Sequence, residues 1–362
     1  LVLDHHEAEV EDLINTGTTI VVNCSYEGSE NPYLSGAGVV YKFIKDVNEY
    51  ININIDTYKT WVGLSVISDS CNVLNPENRY YINYLYTYYK DDPLLGKFEN
   101  YGSLENMFNF NVIPLLNSCF RMDEGDLALA LVFCDNDKKI DELLDQAKVV
   151  YRKQSALVEE AFIDMKALEG KSLVVSRVSD KYKNLTGLIA AKLANSYGKA
   201  SIVIWEDTQH YAGSFRGRGK FTKNELIGVT CKGHLKASGV FINKEDFVDV
   251  VRNILNLDVM VQDTELYDIE ILEDDFTLLY RDLYKLAYLN EYSGEGFEKI
   301  YIKIKGIKNN ADVIRYQNVI KYRYRFFEVV EFNMEVDEVK DSKEKEVVVY
   351  PVINKSGFTL VK

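Results

Sequence analysis

No apolar run in these 362 residues approaches the roughly 20 needed to cross a bilayer, which excludes a helical membrane protein. The first residues carry no signal-peptide pattern. Cysteine is sparse: residues 24, 71, 119, 134 and 231 are scattered, odd in number and without CxxC spacing. That excludes a disulfide framework or a zinc ribbon and points to reduced thiols in the cytoplasm. Positive charge is also short, with 42 Lys and Arg against 56 Asp and Glu and a net charge of −14. A phosphate-binding surface needs Lys and Arg, so a nucleic-acid partner requires a local basic groove on an acidic chain. The acid is partly local, at Asp258 to Asp275 and in the mixed-charge run Val336 to Glu346, which reads as a solvated loop. Histidine is rarer still, and two of the four stand side by side at the start.

Those two close the stretch Leu1-Val2-Leu3-Asp4-His5-His6. Three apolar residues read as a buried strand that runs into an acid and two imidazoles. Ligand sites in open α/β sheets lie just beyond the carboxyl ends of strands. Asp with His suits a borderline divalent metal such as manganese. Successive side chains leaving a strand point to opposite sides, so His5 and His6 are expected to divide into one ligand and one substrate-facing or supporting group. The competing reading is a helix N-cap at Asp4 with Glu7 as its capping-box partner. These six residues leave the two even. The chain also opens inside a strand, from which we expect an N-terminal segment to be missing or to be a separate polypeptide.

Thr18 to Cys24 is a β-branched strand run, and Ser35-Gly36-Ala37-Gly38 opens an apolar-periodic helix through Val39, Val40, Phe43 and Ile44. Small residues there admit either close backbone approach or plain helix packing. Trp61 to Ile67 is apolar and leads to Asp69; a solvated cap is the commoner fate of a lone Asp, and a carboxylate at the end of a strand is the functional reading. Arg79 to Lys90 is a tyrosine-rich helix, with packing favoured over base stacking. Ile113 to Met122 is a helix carrying Asn117 and Arg121, the arginine either snorkelling or aimed at an anion. Helical spacing continues from Lys139 to Leu168, with Gly170 as its C-terminal cap.

Leu173 to Val175, a helix over Leu188 to Tyr197 and Ala200 to Ile204 form a β-α-β unit. The stretches GSFRGRGK (Gly213 to Lys220) and CKGHLKASG (Cys231 to Gly239) follow; they combine glycine, a hydroxyl, His234, Lys and Arg, as a phosphate-binding loop requires, or they form a flexible hairpin. After Leu257 a short helix, Thr277 to Leu286, precedes alternating strands. In one of these Lys321, Arg323 and Arg325 alternate with Tyr322, Tyr324 and Phe326. That pattern fits either single-stranded nucleic acid stacked on Tyr324 between Arg323 and Arg325, or a buried aromatic face behind a wet basic one.

In this order the motifs resemble the DHH phosphoesterase superfamily, and most closely its RecJ-like single-strand DNA exonucleases. Leu1 to His6 is similar to the family's Asp-His-His strand, and Asn31 to Phe43 (NPYLSGAGVVYKF) to its NP…GxGV segment. Ser65 to Arg79 (SVISDSCNVLNPENR) resembles the segment whose Asp binds metal and which ends in ENR. IPLLNSCFRM, GSFRG and CKGHLKASG resemble "aPriNAaGRm", "GSxRS" and "GGHxxAaG". The resemblance covers nearly the whole chain and includes three of the four histidines: His5, His6 and His234.

It implies an α/β fold. A parallel-sheet DHH domain (1–136) leads through a connecting helix (137–169) to a smaller α/β DHH-associated domain (170–256). A mainly β, OB-like domain (257–362) follows. It implies 5′-to-3′ hydrolysis of single-stranded DNA in repair, recombination or replication, with two Mn2+ or Mg2+ ions. His5 and Asp69 would be metal ligands, with Asp4 completing or orienting the shell and His6 facing the phosphate. Arg121, Ser214 and Arg216 would hold the 5′ phosphate, and His234 with the backbone of Gly233 would contact the strand from the second domain. The partners would be single-stranded DNA and a single-strand-binding protein or helicase, with no membrane. The pattern departs at Lys232, Phe120 and Gly217, where the family has Gly, Gly and Ser; Lys232 still suits phosphate. The family's earlier Asp-x-Asp motif is absent, so this polypeptide by itself is expected to bind metal poorly and show little activity. The alternatives are a phosphodiesterase of short oligonucleotides or cyclic dinucleotides, and a non-catalytic replication scaffold.

Overall fold

In the computed structural model the described residues are 1–6, 18–26, 28–51, 54–98, 103–261, 267–308, 311–316, 319–332 and 345–362. Glu7 and most of the mixed-charge run after Val336 lie outside them. In chain order the first elements are β1 (Val2–Asp4), β2 (Val21–Asn23), α1 (Gly36–Ile51), α2 (Lys59–Ser68), α3 (Pro76–Tyr88) and α4 (Leu104–Met107). Next come α5 (Ile113–Arg121), α6 (Gly125–Val132), α7 (Asp137–Asp164), β3 (Lys166–Glu169), β4 (Leu173–Arg177), α8 (Thr186–Tyr197), β5 (Ala200–Glu206), β6 (His210–Arg216), β7 (Thr230–Gly233), β8 (Ala237–Asn243) and α9 (Phe247–Leu255). The last are β9 (Ile269–Leu272), α10 (Tyr280–Asn290), β10 (Ile302–Lys305), β11 (Asp312–Arg315), β12 (Val319–Arg323), β13 (Glu328–Phe332), β14 (Glu346–Asn354) and β15 (Gly357–Val361). Among the described residues no helix is long and apolar enough to cross a membrane.

The chain forms two compact units, one of Leu1–Pro114 with Glu265–Lys362 and one of Leu115–Thr264. This division differs from the four segments expected from the resemblance, because buried polar contacts tie the first region to the last. Tyr86 Oη donates to the Glu291 carbonyl at 2.9 Å, and Val73 N–H to that of Glu295 at 2.9 Å. Lys299 pairs with Glu105 at 3.1 Å. The long helix, in turn, belongs to the core it covers: Val158 and Ala161 pack with Val174, Ile189, Leu193 and Val203.

In the first unit β1 and β2 pair in parallel, Leu3 opposite Val22 and Asp4 opposite Asn23. The motifs around Asn31 and Asn78 knit this unit from inside. Asn31 donates to Glu77 and to Asn78, and Asn78 Nδ2 donates to the carbonyls of Tyr33 and Asn72. Asn78 is fully buried, so deleting its amide strands several partners. Asn78→Ala is expected to destabilise the unit by about 2–4 kcal/mol, read as a lower melting temperature; an unchanged value would remove the motif's structural role. The last region is a seven-stranded, mainly antiparallel sheet in the order β11-β12-β13-β15-β14-β10-β9.

The second unit is built on a six-stranded sheet, β3-β4-β5-β6-β8-β7, in which β4 and β5 are parallel and flank α8 as the β-α-β pattern predicts. Three local expectations are corrected. Trp61 to Ile67 is helical, so Asp69 caps α2 and does not end a strand. The long helix stops at Asp164, because Lys166–Glu169 pairs with β4; Gly170 caps nothing helical. The GSFRG stretch is strand β6, not a loop. Within it Phe215 is fully buried, and Gly213 lets β5 approach, since a Cβ there would stand 2.0 Å from the Val203 carbonyl oxygen.

Candidate metal centre and phosphate cradle

Asp4 ends β1 at the carboxyl edge of the parallel pair, where α/β folds place their ligands. Its carboxylate turns back on the next two residues. Oδ1 accepts the His5 N–H at 2.8 Å and lies 2.8 Å from His6 Nδ1. Burial pushes the Asp4 carboxyl up, but the hydrogen bonds from the His6 ring and the two backbone N–H groups outweigh it and hold it below the ordinary carboxylate value. One donor atom from each of Asp4, His5 and His6 falls within 4.8 Å of the others. Asp69 comes in from the end of α2, its Oδ2 lying 3.9 Å from His5 Nε2. Donors about 2.1 Å from a common ion stand roughly 3–4 Å apart, so this pair is spaced as ligands of one cation. The mixed carboxylate and imidazole set fits Mn2+ or Mg2+ better than a thiolate-seeking metal.

Two residues that the sequence reading did not single out support this cluster. Asn23 Nδ2 and Ser25 Oγ both donate to the His6 carbonyl, each at 3.0 Å. The available signal was their position at the end of β2, the parallel neighbour of β1. Gly36 opens α1 beside His5: a Cβ there would sit 3.4 Å from His5 Cδ2.

The second unit carries the other cluster. Arg121 ends α5, where its charge is favoured by the helix C-terminus, and Arg216 ends β6. Burial lowers the pKa of both guanidinium groups, and for Arg216 the nearby Arg121 lowers it further. Among the described residues no carboxylate pairs with either. Like charges held together and partly desolvated are costly unless an anion completes the site. Arg216 also lies against the start of α8, where a Cβ on Gly187 would meet its Nη2 at 2.8 Å. Ser214 Oγ is 2.9 Å from Thr186 Oγ1 at that same helix start. Thr186 and Gly187 were not foreseen; a hydroxyl followed by glycine just ahead of the Leu188 helix was their signal.

The sheet register gathers the remaining candidates beside these. Arg216 faces Ala237 and Ser214 faces Gly239, which in turn faces Lys232 on β7. Gly233 has φ 119°, a conformation that suits glycine, and His234 with Ala237 closes the hairpin, His234 being exposed. Arg323, Arg325 and Tyr324 join neither cluster. Tyr324 is corrected from a stacking platform to a core residue: it is buried and stacks on Phe327 at 4.7 Å. Arg323 pairs with Glu328 at 2.7 Å, and Arg325 lies over the Phe326 ring. The aromatic face is apolar and flat, so packing against the sheet core claims it.

No protein-family model matches the chain. It is 27% identical over 391 aligned positions to proteins of Bacillus subtilis (strain 168) and Bacillus phage SPbeta named as the single-strand DNA-specific exonuclease YorK. The match covers 92% of this chain and 66% of those proteins, so the chain spans just under two thirds of their length. It is also 26% identical over 187 positions to the single-stranded-DNA-specific exonuclease RecJ of Bacillus subtilis, covering 48% of this chain and 22% of RecJ. Among solved structures, RecJ from Thermus thermophilus in complex with Mn2+ superposes with a TM-score of 0.70 at 15% identity, covering 96% of this chain and 56% of that one. Its complex with Mg2+ gives 0.65, at 15% identity, over 90% of this chain and 55% of that one. In sequence this chain is thus similar to the exonucleases named YorK and RecJ, and it shares the fold of RecJ.

Proposed function

We propose that the protein is a metal-dependent 5′-to-3′ exonuclease that hydrolyses single-stranded DNA in the cytoplasm, alongside a single-strand-binding protein or helicase in repair, recombination or replication. The observation that carries this reading is the Asp4–His5–His6 cluster with Asp69 reaching it from another element. His5 and Asp69, with Asp4, would hold Mn2+ or Mg2+, as a pair of ions where further ligands complete the shell. When bound, the metal supplies a Lewis acid for the phosphoryl oxygen and a water acidic enough to attack near neutral pH. Asp4 fixes the His6 ring through Nδ1, which leaves Nε2 for the scissile phosphate. Arg121, Arg216 and Ser214 grip the terminal 5′ phosphate, and Lys232, Gly233 and His234 follow the strand behind it. A clamp that binds a chain end, not an internal phosphate, sets polarity and makes the enzyme an exonuclease.

The test compares a long 5′-phosphorylated single strand, its duplex and a dinucleotide, each with Mn2+. The protein assayed includes any residues that precede Leu1 in its reading frame. Progressive loss of nucleotides from the 5′ end of the single strand is expected. Cleavage of the dinucleotide alone would favour a small phosphodiesterase, and no turnover by a folded, metal-supplied protein would favour a scaffold.

A further inference from the structure

Within the first unit, Ser70 and Cys71, the two residues after Asp69, line a cavity of about 390 Å3. That size falls at the lower end of the range for small-molecule sites. Its charge is one-sided. Glu105, Glu291, Glu295 and Glu298 line it against one cation, Lys299. Lys299 is committed to Glu105 at 3.1 Å. Among the described residues no lysine or arginine forms an ion pair with Glu291, Glu295 or Glu298. Glu291 is 7% exposed, and its Oε2 accepts the Leu104 N–H at 2.7 Å. A carboxylate-lined recess in a low-dielectric wall concentrates cations.

The other walls narrow the class of cation. Tyr86, Tyr292 and Tyr301 contribute ring surface, and Val66, Val73 and Ile82 contribute aliphatic surface. A hard metal ion prefers a shell of oxygens, whereas ring faces and alkyl walls suit an organic ammonium or guanidinium on a short stem. Ser293 also lines the cavity. We propose that this cavity binds a small organic cation, an amine or guanidinium carried on a short apolar stem. The bound cation packs against the turn that presents Asp69. That turn already holds Ser70 at φ 52°, a conformation few residues other than glycine adopt freely.

The probe is 1,5-diaminopentane, with 1,5-pentanediol as its uncharged counterpart of equal length, titrated into the full chain by calorimetry. Saturable binding of the diamine at one site is expected, and none of the diol. Glu295 and Glu298 are exposed, so the double variant Glu295→Gln/Glu298→Gln keeps the fold. It is expected to weaken diamine binding about three- to tenfold, as loss of two partly exposed charge pairs would. Ser293→Phe, which fills the cavity, is expected to weaken it by more than about tenfold, with circular dichroism confirming the fold. Equal binding of the diol, no saturable binding of the diamine, or an affinity unchanged in the double variant would overturn the proposal. The last result would assign the diamine to general attraction by an acidic chain. If Ser293→Phe fails to fold, the double variant alone decides.

Discussion

Asp69→Ala is expected to remove Mn2+-dependent cleavage of single-stranded DNA while leaving the melting temperature within a few degrees of wild type. The residue caps α2 without a side-chain bond to the helix, and its carboxylate lies 3.9 Å from the His5 ring. That distance is too long for a hydrogen bond and suits two ligands sharing a cation. Little folding stability is therefore at stake, and the loss falls on the metal. Removing a group that merely supports a metal ligand costs roughly 10- to 100-fold in affinity or activity, so deletion of a ligand should exceed that. Raising Mn2+ should recover only part of the rate. A variant that cleaves within a factor of about three of wild type at equal Mn2+ would take Asp69 out of the metal shell.

Arg216→Ala is the second large effect, and it has an unusual sign for stability. The guanidinium is partly buried, near Arg121 and without a carboxylate partner among the described residues. Removing it relieves repulsion and desolvation, so the melting temperature without ligand should stay level or rise. Binding of a 5′-phosphorylated strand should weaken about 10- to 100-fold, because hydrogen bonds to a charged group contribute about 1.5–3 kcal/mol. A 5′-hydroxyl strand should lose far less. The salt dependence of binding should also flatten by about 0.7 in slope, the share of one phosphate contact on a single strand. Equal losses on both strands, with a lower melting temperature, would make Arg216 a structural residue.

Much of this was legible in the sequence because its motifs are short and chemically singular. Three apolar residues before Asp-His-His made a strand legible, and β1 does pair in parallel with β2, but Leu1 and Val2 are exposed, so it is not the buried strand expected. The β-α-β unit was readable because two β-branched runs flank a helix of ordinary length. The failures share one cause, which is that tertiary pairing outvotes local pattern. Trp61 to Ile67 is apolar on almost every side, so period alone could not separate a buried strand from the buried helix it forms. Met165 to Leu168 continues a helical rhythm, yet β4 offers an edge that those residues pair with. Gly213 and Gly217 made β6 look like a loop. There the glycine serves close strand packing, which is visible only once β5 is beside it. Tyr324 alternates with arginines as a stacking strand would, and the packing of Phe276 and Phe327 settles which face is dry. The partnership of Arg216 with Gly187 joins residues 29 positions apart and had no local signature.

The most direct test is to locate the ion. Crystals grown with Mn2+ would give an anomalous difference peak that marks the metal independently of any fitted side chain. Coordination distances of about 2.0–2.3 Å from the peak to His5, Asp69 and Asp4 are expected. A fully occupied Mn2+ peak bound elsewhere on the chain, with Asp4, His5 and Asp69 carrying no density between them, would contradict the account.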